Sequence, residues 1–204
     1  MLKLKKVAIT GGLSCGKSSV CRVFKELGAY VVKADEIVHQ LLSPDQRLGQ
    51  QVIALLGNSI VIDGKIERNA IAKIVFENKK LLHSLEKLIH PIVLSEIEKQ
   101  YQQVSNQGKA PLFIAEIPLL FEVGSEKNFD TTIAVWTNPE LCKERFKKAT
   151  GYGEDEYLKR MANQMPVEEK AAHADYVIEN SGSIEQMHEA VVNLFIKLTA
   201  ANSS

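Results

Sequence analysis

The sequence predicts an α/β fold in which five buried strands alternate with helices. Two observations support this prediction. First, short apolar runs rich in β-branched residues alternate along the 204 residues with longer segments whose apolar residues recur at helical spacing. Second, the first apolar run, at residues 7–10, leads through a glycine-rich loop straight into a helical pattern. Strands that alternate with helices in this way are typical of α/β folds.

Composition and charge exclude several classes of protein. Lys+Arg and Asp+Glu both number 25, so the net charge is zero and no global basic field favours nucleic acid. No run approaches the roughly 18 apolar residues of a membrane span. The three cysteines have neither CxxC nor zinc spacing, which fits a reducing cytosol. We therefore expect a cytoplasmic protein of one domain, 1–204, that binds neither nucleic acid nor a membrane.

The first strand is followed by residues spaced as a Walker A motif, or P-loop. Gly11, Gly16, Lys17 and Ser18 stand in the order Gly-x4-Gly-Lys-Ser between the strand and a helix. Glycines let the backbone turn tightly and aim several N–H groups at one point, where the helix adds its positive dipole end. Lys17 is expected to reach the β- and γ-phosphates of a nucleotide, and the Ser18 hydroxyl to ligate Mg²⁺. Against the alternative of a glycine-rich turn with a chance Lys-Ser pair, we predict a phosphate site made of Gly11, Gly12, Ser14, Cys15, Gly16, Lys17, Ser18 and Ser19.

Cys15 lies inside this loop and has two interpretations. A helix N-terminus lowers the pKa of a thiol, so Cys15 is a candidate reactive thiol. The other interpretation is a small residue that merely fits the loop.

The second strand, at 30–32, ends in Lys33-Ala34-Asp35, and a helical pattern then runs to Pro44. Asp35 therefore follows a strand one βα unit after the P-loop, at the edge where ligands bind in open α/β sheets. There it is a candidate to accept a proton from a substrate hydroxyl, or to hold that hydroxyl in line with the γ-phosphate. An N-cap for the next helix is the alternative role.

Helical patterns dominate the next part of the chain. One runs through 48–56, and others continue from 67 to about 107, with Pro91 in the first turn of the last helix. This gives roughly 40 residues of helix between strands, against about a dozen in a minimal crossover. We therefore predict a helical substrate-binding insert at about 57–107.

Two polar residues beyond the P-loop are further candidates for the site. His90 is a candidate contact for phosphate or substrate, or alternatively a capping or packing histidine. Glu116 lies in the third strand, at 111–117, where a Walker B acid would help to position the Mg²⁺ shell. Structural hydrogen bonding is its alternative role, because an acid in a buried strand needs a partner or a cation.

A basic helical hairpin follows the fourth strand, at 131–136. Asn138-Pro139 provides an N-cap and a first-turn proline, and the helix that they start is densely basic up to Gly151-Tyr152-Gly153. A second helix is predicted from about 154 to 165. Glycines at the joint of such a hairpin suit a mobile lid over polyphosphate, at about 143–166. A solvated charged face is the alternative.

The fifth strand is predicted at 175–180, and the last helix opens after it. Ser183 and Gln186 have the spacing of a capping box, in which each side chain accepts a hydrogen bond from the backbone of the other.

With these residues in place, the chain resembles the dephospho-CoA kinases, P-loop kinases that phosphorylate the ribose 3′-hydroxyl of dephospho-CoA. The resemblance covers essentially the whole length. It rests on Thr10-Gly11-Gly12 with Gly16-Lys17-Ser18, Leu27-Gly28, Val31-Val32-x-Ala34-Asp35, His90-Pro91, Pro118-Leu119-Leu120-Phe121-Glu122, Arg160-x-x-x-Gln164, and the segment from Ala174-Asp175-Tyr176 to Ser181-Gly182.

The resemblance implies a fold and a set of partners. The implied fold has five parallel strands in the order 2-3-1-4-5 with helices on both faces, a helical CoA-binding region and a lid. The implied ligands are ATP, Mg²⁺ and the small-molecule substrate dephospho-CoA, while the oligomeric state stays open.

The resemblance also implies site residues. Asp35 would orient or deprotonate the 3′-hydroxyl, Arg145 and Arg160 would be the lid-side arginines, and adenine recognition is expected near Asn180. The implied catalytic residues are Lys17, Asp35, Arg145 and Arg160, the metal residues Ser18 and Glu116, and the substrate residues Asp35, His90, Pro118 and Leu119.

The sequence departs from the family pattern in three ways. Lys33 stands where the family usually has the first acid of Asp-Ala-Asp, and Ser14-Cys15 replaces a usual Gly-Ser pair. An arginine expected near Ala149 is absent, and Lys147 or Lys148 is the alternative cation, without the bidentate fork of arginine. Another small-molecule or nucleoside monophosphate kinase of the same fold is the nearest rival. Two further alternatives are less well supported. One is a GTP-binding switch, although the sequence has no Asn-Lys-x-Asp stretch that would specify guanine. The other is a catalytically silent nucleotide-binding module.

Overall fold

A computed structural model describes residues 4–76 and 78–200. The strands are β1 (Lys5–Gly11), β2 (Tyr30–Lys33), β3 (Val61–Ile62), β4 (Lys65–Ile66), β5 (Leu112–Glu116), β6 (Thr131–Trp136) and β7 (Tyr176–Glu179). The helices are α1 (Lys17–Glu26), α2 (Ala34–Leu41), α3 (Arg47–Leu56), α4 (Arg68–Phe76), α5 (Lys79–Gln107), α6 (Pro139–Thr150), α7 (Glu154–Met161), α8 (Val167–His173) and α9 (Ile184–Ala200). They form two compact units, one from the described parts of 1–33 and 101–204 and the other from 34–100.

The first unit is built on a five-stranded sheet. The strand order is β2-β5-β1-β6-β7, and every neighbouring pair is parallel. Numbered along the chain within this sheet, the strands stand in the order 2-3-1-4-5, so the predicted order is confirmed. The central strand β1 and its neighbour β5 are almost wholly buried, which explains why they form continuous apolar runs in the sequence.

Helices α1, α8 and α9 pack against this sheet. The apolar stripe of α1, which includes Val20, Val23 and Phe24, joins the core under the sheet. At the start of α9 the backbone N–H of Ser183 donates to the Gln186 side chain, and the Gln186 N–H donates to the Ser183 hydroxyl. The predicted capping box is therefore confirmed.

The second unit consists of α2, α3, the antiparallel hairpin β3–β4, α4 and the N-terminal part of α5. It has a core of its own. The buried members of that core are Leu48, Val52, Ile60, Ile71, Val75 and Leu85. Sequence alone indicated these helices, because their apolar residues recur at helical spacing.

Pro91 does not begin a helix, and this prediction was wrong. Helix α5 runs without a break from Lys79 to Gln107 with Pro91 inside it. Proline removes one hydrogen bond from a helix interior and usually breaks or kinks it. Here Leu85 before the proline and Val93 and Ile97 after it are all buried, so packing on both sides stabilises a continuous helix.

The predicted basic hairpin forms, with one addition. Helix α6 ends at Thr150 and is capped by Gly151, whose backbone is left-handed with φ 75°, and α7 follows after a short joint. Helix α7 ends at Met161 rather than near 165. A separate helix, α8, then leads to β7, and sequence analysis did not predict it.

Candidate active site

The P-loop connects the buried end of β1 to the first turn of α1. The Lys17 side chain folds back over this loop, and its ammonium donates to the carbonyl oxygens of Gly11 at 3.2 Å and Gly12 at 2.8 Å. The cation is therefore held above the loop before any phosphate arrives. Gly16 has φ 91° and directly precedes α1, whose N-terminus carries the positive end of the helix dipole.

Asn180, which directly follows the edge strand β7, supports the loop. Its side-chain amide donates to the carbonyl oxygen of Cys15 at 2.9 Å, and a Cβ on Gly16 would overlap that amide. Only glycine fits at position 16 for this reason as well as for its backbone conformation. Adenine recognition near Asn180 stays a prediction, while the amide itself is engaged by the loop backbone.

Two further side chains complete this support. Arg145 of α6 donates to the Asn180 carbonyl at 3.1 Å, which places the middle of α6 beside the P-loop. The Thr137 hydroxyl donates to the carbonyl oxygen of Cys15 at 2.8 Å. Sequence analysis missed Thr137, although a polar residue directly after a buried strand was an available signal.

Ser18 and Glu116 meet at the carboxyl edge of the sheet. The Ser18 hydroxyl lies 3.1 Å and 3.3 Å from the two carboxylate oxygens of Glu116, the last residue of β5. β5 lies next to β1, and the register pairs Glu116 with Ile9, so the carboxylate is brought beside the start of α1. A hydroxyl and a carboxylate are hard oxygen ligands of the kind that Mg²⁺ accepts.

The donor set fits a magnesium ion that is shared with a nucleotide. Within residues 4–76 and 78–200, no group of three or more His, Cys, Asp or Glu side chains is placed to hold a metal. Mg²⁺ usually keeps several waters and takes only one or two protein ligands together with substrate phosphates. Ser18 and Glu116 meet that requirement, and Mg²⁺ binding stays a proposal.

The three cysteines are buried and free. Burial raises the pKa of the Cys15 thiol despite the nearby Lys17 ammonium, and it raises the pKa of Cys142 to about 11. Burial and the Glu116 carboxylate raise the pKa of Cys21 well above its ordinary value. At neutral pH all three are therefore protonated thiols, which favours the packing interpretation of Cys15 over the reactive one.

We expect the folded protein to resist alkylation by iodoacetamide at pH 7.5. Thiolate is the nucleophile, and both burial and the raised pKa values suppress it. Mass spectrometry should find no modified cysteine after an exposure that labels all three in urea. Rapid labelling of Cys15 in the folded protein would contradict this expectation and restore the reactive-thiol interpretation.

Arg160 contacts groups of its own helical hairpin. Its Nε atom lies 2.9 Å from a Glu156 carboxylate oxygen, and its guanidinium lies 5.4 Å from the Phe146 ring centroid and 5.6 Å from that of Tyr152. Of the two predicted lid arginines, the structure therefore brings Arg145 to the loop and gives Arg160 local partners. A phosphate contact by Arg160 stays a prediction.

Lys170 forms a buried ion pair that sequence analysis missed. Its side chain is 0% exposed, its ammonium lies 2.8 Å from a Glu122 carboxylate oxygen, and it donates to the Pro118 carbonyl at 2.6 Å. The Thr10 hydroxyl donates to the same carbonyl at 3.1 Å, and the Met165 N–H to the same Glu122 oxygen at 2.9 Å. This cluster fixes Pro118, one of the predicted substrate residues, against β1 and α8. Burial lowers the pKa of Lys170, and Glu122 opposes the shift.

Lys170→Met should destabilise the protein by about 3 kcal/mol, because it leaves the Glu122 carboxylate largely buried without its cation. Urea unfolding followed by circular dichroism measures this loss. The double variant Lys170→Met with Glu122→Leu should recover most of the stability, since no unpaired charge remains. Equal stability of the single variant and the wild type would contradict the assigned role of the pair.

In the second unit, Asp35 is the second residue of α2 and is exposed. The helix begins one residue earlier, so Asp35 lies in the first turn and the N-cap alternative is not met. Arg68 of α4 donates from Nη2 to the Asp35 main-chain carbonyl at 3.0 Å. No described residue of this unit donates a hydrogen bond to the Asp35 carboxylate, which leaves its oxygens available to a substrate.

His90 lies on α5 and is half-buried. Burial lowers its pKa, and the Glu86 carboxylate partly opposes the shift. The imidazole is therefore neutral at pH 7 and suits a neutral hydrogen bond better than a charge contact with phosphate. Its proposed contact with substrate stays a prediction.

Across the described ranges, no helix is both long and apolar enough to span a bilayer.

Known proteins that are similar to this chain include proteins named dephospho-CoA kinase. The family model described as dephospho-CoA kinase matches residues 5–186. A protein named dephospho-CoA kinase from Protochlamydia amoebophila is 52% identical over 199 residues, which are 97% of this chain and 98% of that protein. A solved Thermus thermophilus protein has 30% identity and a TM-score of 0.82, with 97% of this chain and 99% of that one covered. The dephospho-CoA kinase of Campylobacter jejuni has 28% identity and a TM-score of 0.70, with 97% and 98% covered.

Proposed function

The chain belongs to the dephospho-CoA kinase family, and on that premise we propose that it transfers the γ-phosphoryl group of ATP to the ribose 3′-hydroxyl of dephospho-CoA, giving CoA and ADP. The observation that carries the proposal is the P-loop with Lys17 folded over it and the Ser18–Glu116 pair at its exit. All three cysteines are free, which also supports a cytoplasmic location.

The phosphate groups of ATP would be held by the first unit. The N–H groups at the start of α1 point to one place, and the Lys17 ammonium can exchange its bonds to the Gly11 and Gly12 carbonyls for bonds to the β- and γ-phosphate oxygens. Ser18 and Glu116 would hold Mg²⁺, which would supply positive charge to neutralise the phosphates. Because the helix fixes its own N–H groups, little reorganisation of those donors would oppose phosphoryl transfer.

Asp35 would handle the acceptor. Phosphoryl transfer needs its nucleophile in line with the γ-phosphorus, and a carboxylate can orient a hydroxyl and take its proton as the bond to phosphorus forms. Asp35 has an exposed carboxylate and stands two residues after the end of β2. Its main chain is fixed by Arg68, which supports the orientation of the side chain.

The hairpin of α6 and α7 would act as a lid. Arg145 of α6 donates to the Asn180 carbonyl, and the Asn180 amide donates to the P-loop. Movement of α6 and binding of phosphate would therefore act on groups that are in contact with one another. Closure would exclude water and so protect ATP from hydrolysis. Lys147 and Lys148 are exposed on the same helix and are the cations available in place of the missing arginine.

An ADP-release assay tests the proposed function. Purified protein with ATP and Mg²⁺ should release ADP rapidly only when dephospho-CoA is present, and AMP or shikimate should not substitute for it. Equal ADP release without an acceptor would identify an ATPase, and preference for AMP or shikimate would identify another kinase of this fold. Either result would overturn the proposed acceptor.

A further inference from the structure

We infer that Arg68 is the residue that recognises the diphosphate of the acceptor, with the nucleoside part of that acceptor in the cavity beside Asp35. This inference rests on the proposed function and deepens it, because it assigns a part of the second unit to each part of dephospho-CoA. That molecule is an adenosine whose 5′-carbon carries a diphosphate, which in turn carries a flexible pantetheine arm.

The first observation is a small cavity next to Asp35. It has a volume of about 240 Å³, and Asp35 and Arg68 are its only charged lining residues among those that the structure describes. The rest of the lining is aliphatic: Val38, Leu42, Ile71, Leu85 and Ile89. Apolar walls with a few polar groups are typical of small-molecule sites, and flat aliphatic walls suit a purine ring. The cavity therefore suits a nucleoside whose hydroxyl meets Asp35.

The second observation is the position of the Arg68 guanidinium. Its bond to the Asp35 main-chain carbonyl uses one of five N–H donors and anchors the side chain, and no hydrogen bond joins the other donors to a residue in 4–76 or 78–200. Only a few bonds separate the ribose 3′-oxygen from the phosphorus on the 5′-carbon. A cation anchored to the residue that handles the 3′-hydroxyl is therefore within reach of the 5′-phosphate of the same nucleotide.

The third observation is that Arg68 opposes the dipole of its own helix. It is the first residue of α4, where the helix dipole already contributes positive partial charge. A cation at this end of a helix costs stability, whereas an acidic residue would add to it. A bound anion removes that cost, because it is attracted by the guanidinium and by the helix terminus together.

The fourth observation is a second, larger cavity that Arg68 also lines. It has a volume of about 530 Å³, and His39, Lys65 and Glu67 are its other titratable lining residues. Leu42, Pro44 and Ile66 add apolar surface to it. Arg68 thus stands between a small apolar cavity and a larger mixed one, in the same order in which the diphosphate stands between the nucleoside and the pantetheine arm.

Arginine is suited to this position because its planar fork binds two oxygens of a phosphate at once. The consequence is specificity. An acceptor without a 5′-diphosphate forgoes the Arg68 contact and enters the nucleoside cavity alone, so it should be a much poorer substrate.

The test compares two acceptors in three variants. Arg68→Ala should lower kcat/KM for dephospho-CoA by about 10- to 100-fold, the scale of hydrogen bonds to charged groups. It should change kcat/KM for adenosine, which has no diphosphate, by less than about threefold. Arg68→Lys should fall between wild type and alanine for dephospho-CoA, because it keeps the charge and loses the fork. Lys73→Ala, an exposed lysine of the same helix, should match the wild type on both acceptors.

Each outcome decides a separate question. Equal losses on dephospho-CoA and adenosine would mean that Arg68 only maintains the fold around Asp35, and would overturn the inference. Where adenosine reacts too slowly to follow, its inhibition constant against dephospho-CoA replaces kcat/KM, and no inhibition would overturn the assignment of the nucleoside cavity. Failure of the wild type to phosphorylate dephospho-CoA would instead overturn the proposed function.

Discussion

Lys17→Met is expected to lower the turnover of dephospho-CoA by at least about 10³-fold at saturating ATP and Mg²⁺, since the loss of one preorganised charge-stabilising group has effects of this size. The Lys17 ammonium is held within 2.8 Å of the Gly12 carbonyl, directly above the loop. As charge spreads over the transferred phosphoryl group, this ammonium offers donors that no other described residue of the P-loop can replace. The measurement is steady-state ADP release with dephospho-CoA present.

Lys25→Met serves as the matched control for this variant. Lys25 lies in the last turn of the same helix and is exposed, so its replacement makes the same chemical change far from the loop. The control should keep nearly full activity, and both variants should unfold at similar urea concentrations. Retention of more than a tenth of wild-type turnover by Lys17→Met would contradict the role assigned to the ammonium.

Asp35→Asn is expected to reduce turnover by roughly 10²–10⁴-fold, the range for the loss of a general base. Asparagine keeps the size of the side chain and can still accept a hydrogen bond, but it cannot take the proton of the 3′-hydroxyl. Because ATP would be held by the P-loop, the dissociation constant of ATP should stay nearly unchanged. Single-turnover kinetics and nucleotide binding, measured on the same preparation, separate the two effects.

Asp63→Asn is the control for this second variant. Asp63 lies in the exposed turn between β3 and β4 with φ 50°, a conformation that asparagine adopts as readily as aspartate. Turnover by this control should equal that of the wild type. Near-normal turnover by Asp35→Asn would remove Asp35 from the catalytic role and leave it as a residue of the acceptor cavity.

Local sequence was sufficient for the features that depend on neighbouring residues. The loop spacing predicted where Lys17 and Ser18 lie, because glycine conformation and the helix start determine both. Glu116 could be placed because it ends a strand, and the parallel register then brings it to Ser18. The ion pair of Arg160 with Glu156 is likewise local, since residues four apart share one face of a helix.

Features that depend on distant partners could not be predicted. Lys170 follows Glu168 and Glu169 and so looks like part of an exposed charged face, yet its partners Pro118 and Glu122 bury it. Arg68 looks equally unremarkable at the start of a helix until its bond to Asp35 is seen. Pro91 was misjudged because packing along both halves of α5 outweighs the local preference of proline.

The most direct test of the proposed reaction is to identify which atom of the acceptor receives the phosphate. Wild-type protein is incubated with ATP, Mg²⁺ and dephospho-CoA, and the product is examined by ³¹P NMR and mass spectrometry. We expect one new phosphomonoester on the 3′-oxygen of the ribose, formed in equal amount with ADP. ADP with inorganic phosphate and unchanged dephospho-CoA, or a phosphate on any other oxygen, would contradict it.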